Sequence, residues 1–525
     1  MSDILSKEDI QKILLKRFEN DKFTTLSSLP NPILFKDMQK SAKRVAKALK
    51  NKEKITIIGD YDVDGVVSSF ILSDFLEKLS QNIEVIIPNR FSDGYGVSKS
   101  IVERLEPCLV ITVDNGISAV EAAEVCLERG VDLIITDHHT VPKNIPKAYA
   151  IINPKQEECS FPYKEICGAQ VAWYFVAAIK QEMRLDFNLL EYIDLLSIAI
   201  VADMMELKGL NRMFVKKGLK AINNTKRASI LSIKEKFEKE SFSSEDISFL
   251  LAPLLNSAGR MDSAMKAFNF LRAKTMSEAT VLLQDMIKLN EDRKDIEKEL
   301  FEISETEVDK NQNIIVVWGS GWHEGVIGIV AARLTRRFKK PAIVFSVTDD
   351  KAKGSARSVG EVNILSLIEE EKDNILGYGG HKGAAGLSIE TKNLPIFKAS
   401  IEKRVNNLKK ELFISNKEIL GEIDAKEIDF ELLDILESFE PYGQKNPKPY
   451  FLIKNAKVKK TRILGKAKNH QKIIIEHNNS ILESIYFNYQ DKVNVGFKID
   501  ILFSISKNYY RGYVTPQLLI KEIII

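Results

Sequence analysis

Between residues 54 and 154 the chain alternates short apolar runs with longer helical patterns, and this alternation limits the possible folds more than any other feature. The runs are KITIIGD, IEVIIPN, CLVITVDNG, VDLIITDHH and AYAIINP. Between them, GVVSSFILSDFLEKL and SAVEAAEVCLERG carry helical periodicity, and Gly130 stands where a helix-ending glycine belongs. Buried strands alternating with helices predict a mostly parallel sheet covered on both faces. In such a sheet, ligands bind beyond the carboxyl ends of the strands. Acids gather at those ends: Asp60 and Asp62 after the first run, Asp114 after the third, and Asp137, His138 and His139 after the fourth.

The first of these ends, GDYDVDG, places Asp60, Asp62 and Asp64 within five residues. Carboxylates this close repel one another unless a positive partner sits among them. Asp60 and Asp62 share one side if the stretch stays extended. An oxygen-rich set with one or two histidines suits Mg²⁺ or Mn²⁺, with two ions sharing a bridging carboxylate. Plainer readings exist for single residues. Asp64 is either part of the catalytic set or an N-cap for the helix that follows. Asp137 either orients His138 or bonds to backbone. Asp114, before Asn-Gly, also fits a turn. On a regular strand His138 and His139 point to opposite faces.

Beyond this region, residues 168–275 read as mainly helical. The charged stretch 276–310 lacks Gly and Pro, and reads as one long helix or a bent pair joining two domains, or else as a surface helix of either. A second α/β pattern follows (NIIVVWG, GVIGIVAARLTRRF, PAIVFSV), running through GSARSV to the glycine-rich GYGGHKGAAGLSI. From about 415 short β-rich runs predict a small barrel or sandwich. The division expected is a helical extension (1–45), a catalytic domain (46–275), a connecting helix (276–310), a substrate-binding domain (311–412) and a β-rich domain (415–525).

Composition excludes little. At 44% hydrophobic and 28% charged, the 525 residues form an ordinary globular chain, and a net charge of +3 neither requires nor forbids a polyanion. No apolar run approaches the roughly 18 residues of a membrane span. The first residues lack the basic-then-apolar order of a secretory signal, and the four cysteines show no CxxC spacing, so reduced thiols in the cytoplasm are expected. GSGWHEG has the spacing GxGxxxG rather than that of a dinucleotide fingerprint. Residues 379–386 (GGHKGAAG) permit close backbone approach, as an anion nest or as a tight strand connection. Residues 445–472 carry many Lys and Arg and no acid, with Tyr450 and Phe451 inside and Tyr509, Tyr510 and Arg511 later. That pattern fits an OB-like module in which charge tracks a single strand and rings stack on bases, or a solvated basic sheet edge.

The ordered motifs GDYDVDG, TVDNG, TDHHT and VADMM resemble the DHH phosphoesterase superfamily. With PNRFSDGYG, NSAGRMD, WHEGVIGIVA, GSARSV, GYGGHKGAAG and EPYGQKNPKPYF, the resemblance narrows to the RecJ family and covers roughly residues 40–525. It implies a DHH domain and a smaller DHHA1 domain joined by a long helix, followed by an OB-fold. It also implies a 5′-to-3′ exonuclease that degrades single-stranded DNA to mononucleotides in recombination and repair. The implied metal ligands are Asp60, Asp62, Asp114, His138 and Asp203, with Asp114 as the bridge, and His139 lies near the metals and the scissile phosphate. Arg90, Ser355 and Arg357 correspond to a terminal 5′-phosphate pocket, Arg260 to a backbone-phosphate contact, and His381 to a position across the cleft. Many relatives carry His where this chain has Thr56, which implies a different or weaker first metal site. The implied partners beyond single-stranded DNA are a helicase and single-strand-binding protein, with the chain acting as a monomer. The rival readings are a phosphodiesterase of small substrates, which has no use for a basic binding track, and a non-enzymatic strand-binding scaffold, which has no use for the Asp/His set.

Overall fold

The computed structural model describes residues 4–414, 419–465, 468–489, 492–510 and 513–524. Strands β1 (Ile55–Ile58), β2 (Ile83–Ile86), β3 (Leu109–Val113), β4 (Leu133–Thr136) and β5 (Ala150–Ile152) form a five-stranded sheet in the order β2-β1-β3-β4-β5. Every pairing in it is parallel. Alternate residues serve two cores: Ile55, Ile57, Ile111 and Ile134 point into one, and Ile58, Val110, Leu133 and Ile135 into the other. Strands buried on both faces have no room for unpaired charges except at their ends, and there the clustered acids are found. Helices α2 (Val63–Glu77), α3 (Gly168–Met183), α4 (Ile193–Ala202) and α5 (Ala252–Met261) belong to this domain.

The charged stretch is one 31-residue helix, α6 (Met276–Thr306), about 46 Å long at the standard rise. Its first half buries Ala279, Leu283 and Met286 in the first domain, and Leu300 packs in the second. The second domain is a mixed sheet ordered β6-β7-β8-β10-β9, from β6 (Ile315–Ser320), β7 (Ala342–Thr348), β8 (Lys351–Arg357), β9 (Gly377–His381) and β10 (Ala384–Glu390). Helix α7 (Ile327–Phe338) covers one face, with Val330, Ala331 and Leu334 buried.

The third domain is a barrel. Strand β11 (Ile419–Glu422) leads into β12 (Tyr450–Leu464), β13 (His470–His477), β14 (Ser480–Phe487), β15 (Lys498–Tyr510) and β16 (Tyr513–Ile524), in the order β11-β12-β13-β14-β16-β15. An antiparallel β12–β15 pairing closes it. The fold class read from the sequence, two α/β domains and a β-rich OB-like domain, is the one observed.

The N-terminal helix α1 (Lys7–Lys16) packs against this barrel rather than the first domain. Ser6 caps it by accepting from the Asp9 N–H. Ile10 and Leu14 are fully buried in the barrel's core beside Leu432 and Leu436 of α8 (Phe430–Ser438). Such burial contributes about 1.5–3 kcal/mol per side chain. Lys7 pairs with Asp429 at 2.5 Å and Glu431 at 2.7 Å, and the Leu5 N–H donates to the Glu422 carbonyl at 2.8 Å.

Candidate metal centre and phosphate pocket

The carboxyl edge of the first sheet collects side chains from four segments. Ligand atoms of Asp60, Asp62 and Asp114 lie within 4.8 Å of one another, as do those of Asp114, His138 and His139, and those of Asp64, His138 and Asp203. Asp114 and His138 each belong to two of these groups. His138 Nε2 is 3.2 Å from Asp114 Oδ1, 3.6 Å from Asp203 Oδ2 and 3.7 Å from Asp64 Oδ2. Asp203 arrives from the C-terminus of α4, which explains why it is hard to see in a strand-based reading. Asp114 is left-handed, with φ 63°. Asn115 next to it holds that turn, donating to the carbonyls of Ile58 (3.1 Å) and Val113 (2.9 Å) and accepting from the Val97 N–H (3.0 Å). A strained backbone persists only where neighbours fix it in this way.

Two expectations need correcting. The N-cap of α2 is Asp62, which accepts from the Gly65 N–H at 3.1 Å, and not Asp64. Asp64 instead accepts from the N–H groups of Gly168 (2.6 Å) and Ala169 (2.8 Å), at the start of α3. Gly168 is needed there, because a Cβ would fall 2.4 Å from Asp114 Oδ1. Of the two readings of Asp137, bonding to backbone holds, since it accepts from the N–H groups of Ile117, His138 and His139; the ring it orients is His139, whose Nδ1 is 2.8 Å from its Oδ1, and not His138.

The electrostatics follow from burial. Burial, and after it the neighbouring carboxylates, push Asp60, Asp114 and Asp203 well above the ordinary carboxylate range and Asp64 up to about 6. Burial, and then the charge on His139, push His138 down to about 3, so it is a neutral imidazole with a lone pair to offer. Burial also opposes a charge on His139, but the hydrogen bond and charge of Asp137 outweigh it and lift that ring to about 9. Asp114 Oδ1 and Asp203 Oδ2 are buried without a hydrogen-bond partner. An acid cluster that resists ionisation, with orphaned oxygens and a neutral imidazole, fits a pair of hard divalent cations.

A second cluster lines a cleft of about 510 Å³ between the first two domains, including Arg90, Arg260, Ser355 and Arg357. The Arg90 guanidinium lies 3.9 Å above the Tyr61 ring, and its Nε donates to the Gly259 carbonyl at 3.3 Å. Arg260 reaches across to the Gly325 carbonyl at 3.2 Å. Burial, and then the nearby Arg90 and Arg357, bring Arg260 down to about 10. Arg357 Nη1 donates to Ser355 Oγ at 3.1 Å. Gly328, in the first turn of α7, leaves space for both, since a Cβ would come within 2.9 Å of Ser355 Oγ and 3.0 Å of Arg357 Nη2. Three guanidiniums, a hydroxyl and a helix N-terminus together have the chemistry to hold an anion. Tyr61 and Tyr95, which the sequence reading passed over, separate this site from the metal cluster. Their rings sit edge-on at 5.9 Å, and Tyr95 is edge-on to His139 at 6.2 Å. Both tyrosines lay inside motifs already quoted, GDYDVDG and RFSDGYG.

Comparison with known proteins accounts for all three domains. The model of the DHH family N-terminal domain matches residues 54–200, that of the DHHA1 domain residues 311–407, and that of the RecJ OB domain residues 419–522. The single-stranded-DNA-specific exonuclease RecJ of Haemophilus influenzae is 30% identical over 533 residues, covering 95% of this chain and 92% of that protein. The chain belongs to the RecJ family. The RecJ of Bacillus subtilis is 34% identical over 509 residues, covering 94% of this chain, which spans 64% of that relative's length. The crystal structure of RecJ in complex with Mn²⁺ from Thermus thermophilus superposes with a TM-score of 0.83 at 26% identity, covering 99% of this chain and 79% of that one.

Further details of this chain refine the sequence reading. The Thr56 hydroxyl donates to Glu84 at 3.2 Å within the sheet. In the barrel, the basic stretch is partly neutralised: Lys448, Lys454, Lys459 and Lys472 pair with Glu245, Glu422, Glu476 and Glu483. Among the described residues Lys457, Lys460 and Arg462 have no acidic partner. Phe451 is fully buried in the barrel core, 6.2 Å from Phe503, so it cannot stack on a base as expected. Among the described residues of this domain, the exposed rings include Phe430 (50%), Phe487 (52%) and Phe497 (43%). The side chains of Tyr509 and Tyr510, and the whole of Arg511, lie outside the described residues.

Proposed function

We propose that this chain is a metal-dependent exonuclease that removes nucleotides from the 5′ end of single-stranded DNA and releases 5′-mononucleotides. The observation that carries the reading is the placement of the arginine pocket beside the Asp/His cluster, with the rings of Tyr61 and Tyr95 between them. Asp60, Asp62, Asp114, His138 and Asp203 would hold the ions. Once bound, Mn²⁺ or Mg²⁺ supplies Lewis-acid charge for the scissile phosphate and acidifies an attacking water. The chain's own residues do the rest. Arg90, Arg260, Ser355 and Arg357 grip the terminal phosphate and so set the polarity. Tyr61 holds the Arg90 plane in place. Asp137 keeps His139 cationic at neutral pH, so that it can give the scissile phosphate a charge-assisted hydrogen bond. His381 closes the cleft from the second domain. The cleft admits one strand and excludes duplex by its width, while the barrel holds the trailing strand through unpaired cations and exposed rings. The setting is cytoplasmic DNA recombination and repair, with the chain acting as a monomer beside a helicase and single-strand-binding protein.

The test uses 3′-labelled single-stranded DNA with Mn²⁺ or Mg²⁺, a duplex control and an Asp114→Ala variant. Shortening from the 5′ end of the single strand alone, lost in the variant, supports the reading. Tight binding without cleavage under either metal replaces it with the scaffold. Neither binding nor cleavage replaces it with the small-substrate phosphodiesterase.

A further inference from the structure

The end of the arginine pocket farthest from the Asp/His cluster is closed by an ion pair, for which phosphate binding alone has no use. Strand register fixes the direction. Arg357 on β8 stands opposite Ala384 on β10, which stands opposite His381 on β9. Because His381 lies against His139, this row marks the catalytic end of the sheet. Two residues back along β8 the row is Ser355, Gly386 and Gly379, and two further back it is Lys353, Ser388 and Gly377. Side chains two apart on a strand share a face and sit about 7 Å apart. Arg357, Ser355 and Lys353 thus form a line leading away from the metal cluster. Gly386 leaves the floor beside it bare, since a Cβ there would meet only the Gly354 carbonyl at 4.0 Å.

At the far end of this line Lys353 Nζ is 2.8 Å from Glu324 Oε2. The loop holding Glu324 is fixed on its downstream side. The Gly325 N–H donates to His323 Nδ1 at 3.1 Å, and the Gly325 carbonyl accepts from Arg260 at 3.2 Å. Glu324 is the one acid among the described residues lining this cleft.

We propose that Glu324 makes the pocket selective for a 5′-monophosphate end over a 5′-triphosphate end, a proposal resting on the reading of this cleft as a 5′-phosphate site. A terminal monophosphate is satisfied by Arg90, Arg260, Arg357 and Ser355, and asks nothing of Lys353. A triphosphate must place two further phosphoryl groups. The nucleoside fills the side toward the metal cluster, so they run toward Lys353. There the cation is already engaged by Glu324, and the phosphates meet a fixed carboxylate of like charge. Discrimination by an unfavourable charge contact is a general route to specificity.

The experiment compares kcat/KM on one oligodeoxynucleotide carrying a 5′-hydroxyl, a 5′-monophosphate or a 5′-triphosphate. In the unaltered protein the triphosphate is expected to react at least tenfold less well than the monophosphate. Glu324→Gln keeps the shape, frees Lys353 and is expected to shrink that gap to under threefold. Lys353→Met leaves the carboxylate alone and is expected to widen it. Equal use of both ends by the unaltered protein, or a Glu324→Gln variant that slows both in proportion, overturns the proposal. Arg357→Ala separates the layers. If it leaves the hydroxyl-to-monophosphate ratio unchanged, the phosphate-pocket reading fails and this proposal with it. If that ratio collapses while the unaltered protein treats monophosphate and triphosphate alike, only the role of Glu324 falls.

Discussion

His381 of the second domain lies parallel to His139 of the first, with ring centroids 6.4 Å apart and planes 8° from coplanar. His139 is fixed by Asp137, whereas His381 sits on β9, the exposed edge of its sheet. One wall of the site is therefore held within the first domain, and the other is carried by the second. His381→Ala is expected to lower kcat/KM on single-stranded DNA by about tenfold to a hundredfold, the range typical of a single positioned polar group. Mn²⁺ binding measured by calorimetry should be unchanged, since His381 is absent from the three clusters of ligand atoms. A loss of Mn²⁺ binding in this variant would refute the assignment.

The orphaned oxygens of Asp114 and Asp203 predict that the ions stabilise the fold as well as the reaction. Adding Mn²⁺ should raise the melting temperature of the unaltered protein, because a ligand that binds only the folded state stabilises it. Asp114→Asn should abolish most of that increase, along with cleavage. Removing one of several mutually repelling carboxylates should also make the metal-free variant at least as stable as the parent. A parent whose melting is indifferent to Mn²⁺ would argue against metal binding at this cluster.

The barrel's basic face should act on long substrates only. A Lys460→Ala, Arg462→Ala double variant is expected to weaken binding of a long single strand and to flatten its salt dependence by roughly 0.7 log units per lost phosphate contact. Binding of a trinucleotide should be unaffected. Lys454→Ala, which removes a cation already paired with Glu422, is expected to change the slope less than either single unpaired cation.

Glu371 predicts an acid-sensitive second domain. Its side chain is 2% exposed and accepts from Ser400 (2.6 Å), Asn374 (3.1 Å) and Arg404. Burial tends to raise its pKa, but those hydrogen bonds outweigh it and hold the carboxyl below its usual 4.5. A folded-state value below the unfolded one stabilises the fold above about pH 4.5. That stability is lost as the pH falls through the folded-state value. Glu371→Gln should cost about 1–3 kcal/mol at neutral pH, seen as faster hydrogen exchange in β9, β10 and the segment carrying Arg404. The difference from the parent should disappear in acid.

Much of this was legible in the sequence because the signals were local and physical. Short β-branched runs such as LVITV favour a strand buried on both faces, and an acid at the end of such a run stands out. Periodicity alone does not distinguish one helix from a bent pair in residues 276–310, and the single helix Met276–Thr306 is set by its packing on both domains. What stayed hidden depended on tertiary geometry. Nothing in GDYDVDG reveals that Asp62 caps its own helix while Asp64 serves the helix beginning at Gly168, over 100 residues away. The burial of Phe451 is set by which face of β12 turns inward, and a run of lysines on either side gives no hint of that. Glu324 and Lys353 lie 29 residues apart and become neighbours only through sheet register.

The packing of α1 against the barrel also bears on how the molecule is made. Lys7 meets its partner Asp429 across 422 residues of chain. On a ribosome, the segment carrying Ile10 and Leu14 emerges before the barrel strands and stays without its packing site until they follow it. Both side chains are apolar, so until those strands arrive this helix is an exposed greasy handle. Closing so long a loop is also among the slowest contacts a chain can form. The third domain should therefore be the last to consolidate, and the first to open when the helix is loosened.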